Sequence, residues 1–239
     1  MSKRSFSWEG LFFVLLIILF SSGCSRQSQS RTTTIFCAAS LGDFLQEILA
    51  QEELDYTLQV GGSLTLINQM KAGAEADILV LADAELSEQL DPDLIQDRKN
   101  FAGNRLVLVQ PKNFSKTSNE PRLALADPQT APLGRYSQQA LKSRPVPGQR
   151  QFLKDATAVL ASVALAHSEL GIIYQSDAQK DDRVKILKQL PTESHSPILY
   201  QAVLMKTEKP GAERIYALLT SPRAEKALTR MGFIAPLNQ

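Results

Sequence analysis

The chain has 239 residues, 44% of them hydrophobic and 21% charged, with 12 Gly and 12 Pro. That is the composition of an ordinary globular protein, long enough to bury a full apolar core without covalent staples. Its 26 basic and 25 acidic side chains leave a net charge of +1, without the basic excess of a nucleic-acid binder. Two cysteines exclude a disulfide framework and any cysteine-based zinc module, and His167 and His195 have no metal-ligand spacing.

At the N-terminus, Lys3 and Arg4 precede an unbroken apolar run over residues 11–20, followed by Ser21, Ser22, Gly23 and Cys24. A spanning helix needs about 20 apolar residues, so the shorter run suits the core of an export signal over residues 1–23. A cysteine directly after small residues resembles the bacterial lipoprotein signal, in which the peptide is cut before the cysteine and its thiol carries diacylglycerol. Ser21 departs from that pattern, where Leu is usual. Ordinary secretion with an incidental Cys24 is the alternative. Residues 24–34 are polar and lack apolar periodicity, as a flexible tether would. The expectation is an exported protein, in the periplasm or at the cell surface, lipid-anchored through Cys24.

From Thr33 onward, β-prone and helix-prone segments alternate. Thr33–Ala38 reads as a strand, and Leu41, Phe44, Leu45, Ile48 and Leu49 then form an apolar helical stripe. Residues 56–60 read as a strand and 64–71 as a short helix carrying Leu64, Ile67 and Met70. Ile78–Leu81 is a run of four aliphatics between Asp77 and Asp83, the pattern of a buried parallel strand. Residues 106–109 and 123–126 look alike, and an Ala-rich helix over 157–168 leads into a strand at 171–174. Near the end, Ser221 and Pro222 start a helix that Gly232 stops. This alternation predicts an α/β fold with mainly parallel sheets.

Ligands of such sheets bind beyond the carboxyl ends of strands, where helix N-termini offer unpaired N–H groups and partial positive charge to anions. The strand-to-helix turns here are Ala38-Ala39-Ser40, Gly61-Gly62-Ser63, and Asp127-Pro128 continuing to Pro132-Leu133-Gly134. None holds a cation except Arg135, just past Gly134. Each piece also has a plainer explanation. Ser40 with Asp43 resembles a capping box, Ser63 suits a cap of its own helix, and Tyr174 suits a half-buried packing position.

Together, these segments carry a resemblance. FCAAS (residues 36–40), GGSLTLINQMKAGAEADILVLAD (61–83) and GNRLVLV (103–109) are followed by LALADPQTAPLGRYSQQAL (123–141), DATAVLASVALAHSELGIIYQSDA (155–178) and SPRAEKALTRMGF (221–233). In this order they resemble the periplasmic molybdate-binding proteins of bacterial ABC transporters, which are type II periplasmic binding proteins. The resemblance implies two α/β lobes, residues 35–108 plus 204–239 and residues 109–203, joined by a two-strand hinge near residues 106–109 and 200–204. It implies a monomer that binds molybdate or tungstate between the lobes and hands it to a membrane permease, with no catalysis, no cofactor and no direct metal ligands. Carried over by position, Ser40 and Ser63 would hold the oxyanion from one lobe. The backbone N–H groups of Leu133 and Ala156 and the phenol of Tyr174 would hold it from the other. Cys37, Glu75 and Gln201 depart from the family pattern, and Cys37 beside Ser40 raises the question of crowding.

Such a site would satisfy every oxygen of a dehydrated dianion with neutral donors and would reject an oxyanion that brings its own proton. Sulfate, being smaller, would leave some donors out of reach. Three rivals stand beside this reading. A serine hydrolase would need His167 or His195 as base, but GGSLT lacks the second Gly of a nucleophile elbow. A carrier of another oxyanion or a small organic acid would draw on Arg135. A tungstate carrier that adds a carboxylate ligand would use Asp155.

Overall fold

The computed structural model describes residues 32–114 and 120–236. The export signal, Cys24 and the tether as far as Arg31 lie outside the described residues. Thr33 and Thr34, where the expected tether and the expected first strand overlap, belong to the strand. Their β-branched side chains and the pairing of Thr33 with Tyr56 extend the sheet to that point.

Two five-stranded sheets share one plan. The first contains β1 (Thr33–Ala38), β2 (Tyr56–Gly61), β3 (Ile78–Leu81), β4 (Ile95–Asn104) and β10 (Ile198–Met205), in the order β2-β1-β3-β10-β4. The second contains β5 (Leu106–Pro111), β6 (Arg122–Ala126), β7 (Gln149–Leu153), β8 (Leu170–Tyr174) and β9 (Val184–Gln189), in the order β7-β6-β8-β5-β9. In each sheet three strands run parallel, and the fourth and fifth join by antiparallel pairing. The sheets are therefore mixed rather than mainly parallel. The reason is topological: β10 and β5 enter their sheets directly from the other one, without the helical crossover that parallel pairing requires.

The chain changes sheets at Arg105 and again between Gln189 and Ile198. Residues 106–109 thus lie wholly in the second sheet and residues 200–204 wholly in the first. The crossovers fall a few residues outside the positions read from sequence, because both segments continue as buried strands beyond the connection.

Among the described residues, seven α-helices cover the sheets: α1 (Gly42–Leu49), α2 (Ser63–Lys71), α3 (Pro132–Ser143), α4 (Ala156–Ala164), α5 (Gln175–Lys180), α6 (Pro210–Leu219) and α7 (Pro222–Arg230). β1 is buried on both faces. Ile35 and Cys37 pack with Leu41, Phe44 and Leu45, while Phe36 packs with Leu66, Ile67 and Leu79 on the opposite face. Truncating a fully buried Leu or Ile in such a layer costs about 2–5 kcal/mol. The helix expected over 157–168 stops at Ala164, because Ala166 turns to φ 57° and releases His167 into a bend. Helix α7 begins as its sequence predicts: Ser221 accepts from the Ala224 N–H at 3.3 Å, Pro222 takes the first position, and Gly232 ends it at φ 86°.

Candidate functional site

The shared plan makes four strand-to-helix turns equivalent in pairs. β1 and β6 occupy the same place in their sheets, as do β2 and β7. Ser40 follows β1 and Leu133 follows β6. Ser63 follows β2 and Ala156 follows β7. The carried-over positions thus sit at the carboxyl ends of corresponding strands, where peptide N–H groups emerge from both sheets.

Neither serine caps a helix. Ser40 lies in a 3-10 turn (residues 39–41) whose N-cap, Ala38, makes no side-chain bond, and α1 is entered from Leu41. Ser63 is the first residue of α2, with Gly62 as N-cap, and its oxygen accepts from the Ala82 N–H at 3.0 Å. The plainer capping role considered for both is set aside by these bonds.

In the second sheet, α3 starts with Pro132, Leu133 and Gly134 packed close under the end of β6. A Cβ at Gly134 would lie 2.5 Å from the backbone of Ala126, Asp127 and Pro128, so only glycine allows this approach. The neighbouring turn is tied to the same place, since the Asp127 N–H donates to Leu153 O at 2.7 Å and the Thr130 hydroxyl to Lys154 O at 3.2 Å. Asp155 caps α4 by accepting from the Ala158 N–H at 2.8 Å. That bond gives Asp155, the carboxylate considered as a tungstate ligand, a structural role beside Ala156.

Tyr174 ends β8 with 6% exposure. Burial pushes its ionisation well above the ordinary phenol value, reinforced by the nearby Tyr200, Tyr136, Asp177 and Asp83. Tyr200 and Asp83 belong to the first sheet and its flank, so the Tyr174 phenol lies where the two sheets face each other. Ser40 shares this neighbourhood, since its side chain lies near enough to the Tyr200 phenol to bear on its ionisation, and Ser63 shares it through Ala82, which adjoins Asp83.

Arg135, the one cation adjoining these turns in sequence, is engaged by Asp83. Asp83 in turn accepts from the Glu85 N–H at 3.1 Å. The two histidines bond elsewhere: His195 Nδ1 lies 2.8 Å from Ser196 O, its ring meets the edge of Tyr136, and His167 follows the α4 break. No histidine is a recorded partner of Ser40 or Ser63 among the described residues. Cys37 is fully buried, its thiol donates to Ala38 O at 3.3 Å, and burial pushes its pKa up to about 12. It packs in the core with Phe44 and stays a neutral thiol.

Three residues with no role assigned from sequence complete the centre. Asn104 and Ser176 form a buried hydrogen-bonded group with Tyr200, linking the end of β4 to the start of α5. Their separations of 72 and 96 residues leave no local signal. Asn104 was visible only as a member of the GNRLVLV stretch.

Residues 33–234 match the bacterial extracellular solute-binding proteins. The chain belongs to that family. It is 32% identical, over 92% of this chain and 95% of the relative, to YvgL of Bacillus subtilis, provisionally named an ABC transporter substrate-binding lipoprotein. It is 29% identical to the molybdate-binding protein ModA of Escherichia coli, over 95% of this chain and 97% of that one. Among solved structures, the periplasmic molybdate-binding protein of Azotobacter vinelandii superposes with a TM-score of 0.69 at 20% identity, over 86% of this chain and all of that one. This solute-binding protein therefore has the type II periplasmic binding protein fold expected from its sequence.

Proposed function

We propose that this protein captures molybdate, and tungstate with it, between its two sheets and delivers the ion to an ABC permease. The observation that carries the reading is the set of neutral donors at paired turns, combined with the engagement of Arg135 by Asp83. A carboxylate ligand would call for a free cation at this place, and Arg135 is already neutralised. The molybdate-binding relatives named above support the choice of oxyanion. The protein acts as a carrier rather than a catalyst, and uses no cofactor.

Ser40 and Ser63 contribute hydroxyl and backbone donors, Leu133 and Ala156 contribute backbone N–H groups, and Tyr174 its phenol. Hydrogen bonds to a charged group are each worth about 1.5–3 kcal/mol. Titration calorimetry with molybdate should therefore show at least a roughly tenfold loss of affinity in Ser40→Ala and in Ser63→Ala. Wild-type affinity in both variants would remove these residues from the site.

The protein works as a monomer outside the cytoplasmic membrane, held there by a lipid on Cys24. The signal-like sequence before Cys24 and the lipoprotein relative support this. Fractionation checks it: Cys24→Ser protein should leave the membrane fraction, and continued attachment would contradict the anchor.

A further inference from the structure

We propose that a cavity beside the junction of the two sheets is a second binding site, for a small primary alkylammonium ion, and that its occupation favours the arrangement in which the sheets face each other. The site stands apart from the oxyanion reading; only its coupling to oxyanion binding rests on that reading.

The cavity, about 240 Å³, is lined by Asp83, Glu85 and Glu88 just past β3, by Leu199 and Gln201 of β10, and by Tyr136 of α3. None of the five residues assigned to the oxyanion lines it. Two polar groups in its wall have no hydrogen-bond partner among the described residues. The first is the phenol of Tyr136, a residue 7% exposed. Burial, then Asp83, with Glu85 adding to it, hold the proton on that phenol. It therefore lies near the cavity's carboxylates as a hydroxyl with an unmatched lone pair, its ring set against the edge of His195. The second is Gln201, also 7% exposed. Its Nε2 donates to Asn100 Oδ1 at 3.0 Å, which leaves Oε1 a buried acceptor with no donor. Buried polar groups are ordinarily matched, so two orphan acceptors in one wall call for an occupant that supplies donors.

Charge sets the sign of that occupant. Asp83 is engaged by Arg135, and Glu88 by Arg98 at 2.7 Å. Glu85 has no ion pair among the described residues, and no cationic side chain lines the cavity. One negative charge is left over. A primary ammonium group brings one positive charge and three N–H donors with no acceptor, which suits the phenol, the Gln201 oxygen and the Glu85 carboxylate. Leu199 and the Tyr136 ring offer apolar and π surface to a short alkyl stem beside the charge. A metal ion fits less well, since the described residues hold no group of three or more side chains able to bind one.

Tyr136 belongs to α3, which packs on β6 of the second sheet, whereas the other residues named belong to the first sheet and its flank. A ligand held by both sides favours their facing arrangement. Ammonium and oxyanion should therefore each tighten the binding of the other.

Titration of the purified protein with n-butylammonium, followed by backbone amide shifts, should show saturable binding centred on Tyr136 and Gln201. 1-Butanol has the stem without the charge, and tetramethylammonium has the charge without N–H donors. Each should bind at least about tenfold more weakly. Tyr136→Phe and Gln201→Met keep the shape, remove one acceptor each, and should each weaken butylammonium about tenfold. Glu85→Gln, at an exposed position, should cost roughly threefold. Thermal melts check folding, and Glu85→Gln decides if the two buried variants do not fold. With molybdate saturating, butylammonium should bind at least about fivefold more tightly.

Absence of butylammonium binding, equal binding of butanol or tetramethylammonium, or wild-type affinity in the variants would overturn the site. Butylammonium affinity unchanged by bound molybdate would overturn the coupling. A wild type that binds butylammonium but not molybdate would support the site and overturn the oxyanion reading, and the coupling with it.

Discussion

Asp83, just past the end of β3 in the first sheet, accepts a hydrogen bond from the guanidinium of Arg135 on α3, which packs against the second sheet. The carboxylate is 2% exposed and the arginine 46%. The pair therefore joins the two sheets beside the turns that carry Ser63 and Leu133.

This pair predicts how affinity responds to charge removal. Arg135→Ala leaves a buried carboxylate unpaired at the junction, at a cost of about 1–2 kcal/mol, below the range for fully buried pairs because the arginine is half in solvent. The cost falls on the state in which the sheets face each other, so molybdate should dissociate faster while association is little changed. Stopped-flow measurement of both rates checks this. Asp83→Asn separates the alternatives. If Arg135 serves as a latch, the variant weakens binding; if Arg135 is a ligand contact held in check, freeing it raises anion affinity, and that result would contradict the account.

Asp177, on the first turn of α5, gives a pH signature. Burial raises its pKa from 3.8 to about 6, opposed only in part by Lys180. Between these values the folded protein holds a proton that the unfolded chain has released. The contribution of Asp177 is therefore to lower stability as pH rises from about 4 to about 6, by up to roughly 3 kcal/mol. Asp177→Asn should be more stable than wild type at neutral pH, and the difference should vanish below about pH 4. Denaturant unfolding of both proteins across this range tests it, and a constant difference would contradict the assignment.

Much of the fold was legible because its central strands carry their burial in their composition. Ile78–Leu81 is aliphatic throughout and is buried throughout. The helix at Ser221 announces both ends, through a capping serine, a proline and a left-handed glycine. The edge strands were harder. β7, with sequence QRQFL, is mostly exposed, and β9, KILKQ after its buried Val184, alternates weakly, so neither rises above loop composition.

The candidate site divides in the same way. Ser40, Ser63 and Leu133 stood at strand-to-helix turns and could be read from local pattern, whereas Ala156 and Tyr174 came from the family resemblance. Asp83, Asn104 and Tyr200 act through partners 52, 72 and 96 residues away. Tyr200 in particular reads as one more apolar residue in a buried strand, and its hydroxyl meets Asn104 only once β10 pairs with β4.

The central claim is that the cleft holds a fully deprotonated tetrahedral oxyanion. A thermal-shift titration of residues 25–239 with molybdate, tungstate, sulfate and phosphate tests it most directly. Ligand at about 1,000 times its dissociation constant stabilises by roughly 4 kcal/mol, which for a domain of this size raises the midpoint by on the order of 10 °C. The account predicts such a shift with molybdate and tungstate and little with sulfate or phosphate. An equal shift with phosphate, or none with any of the four, would contradict it.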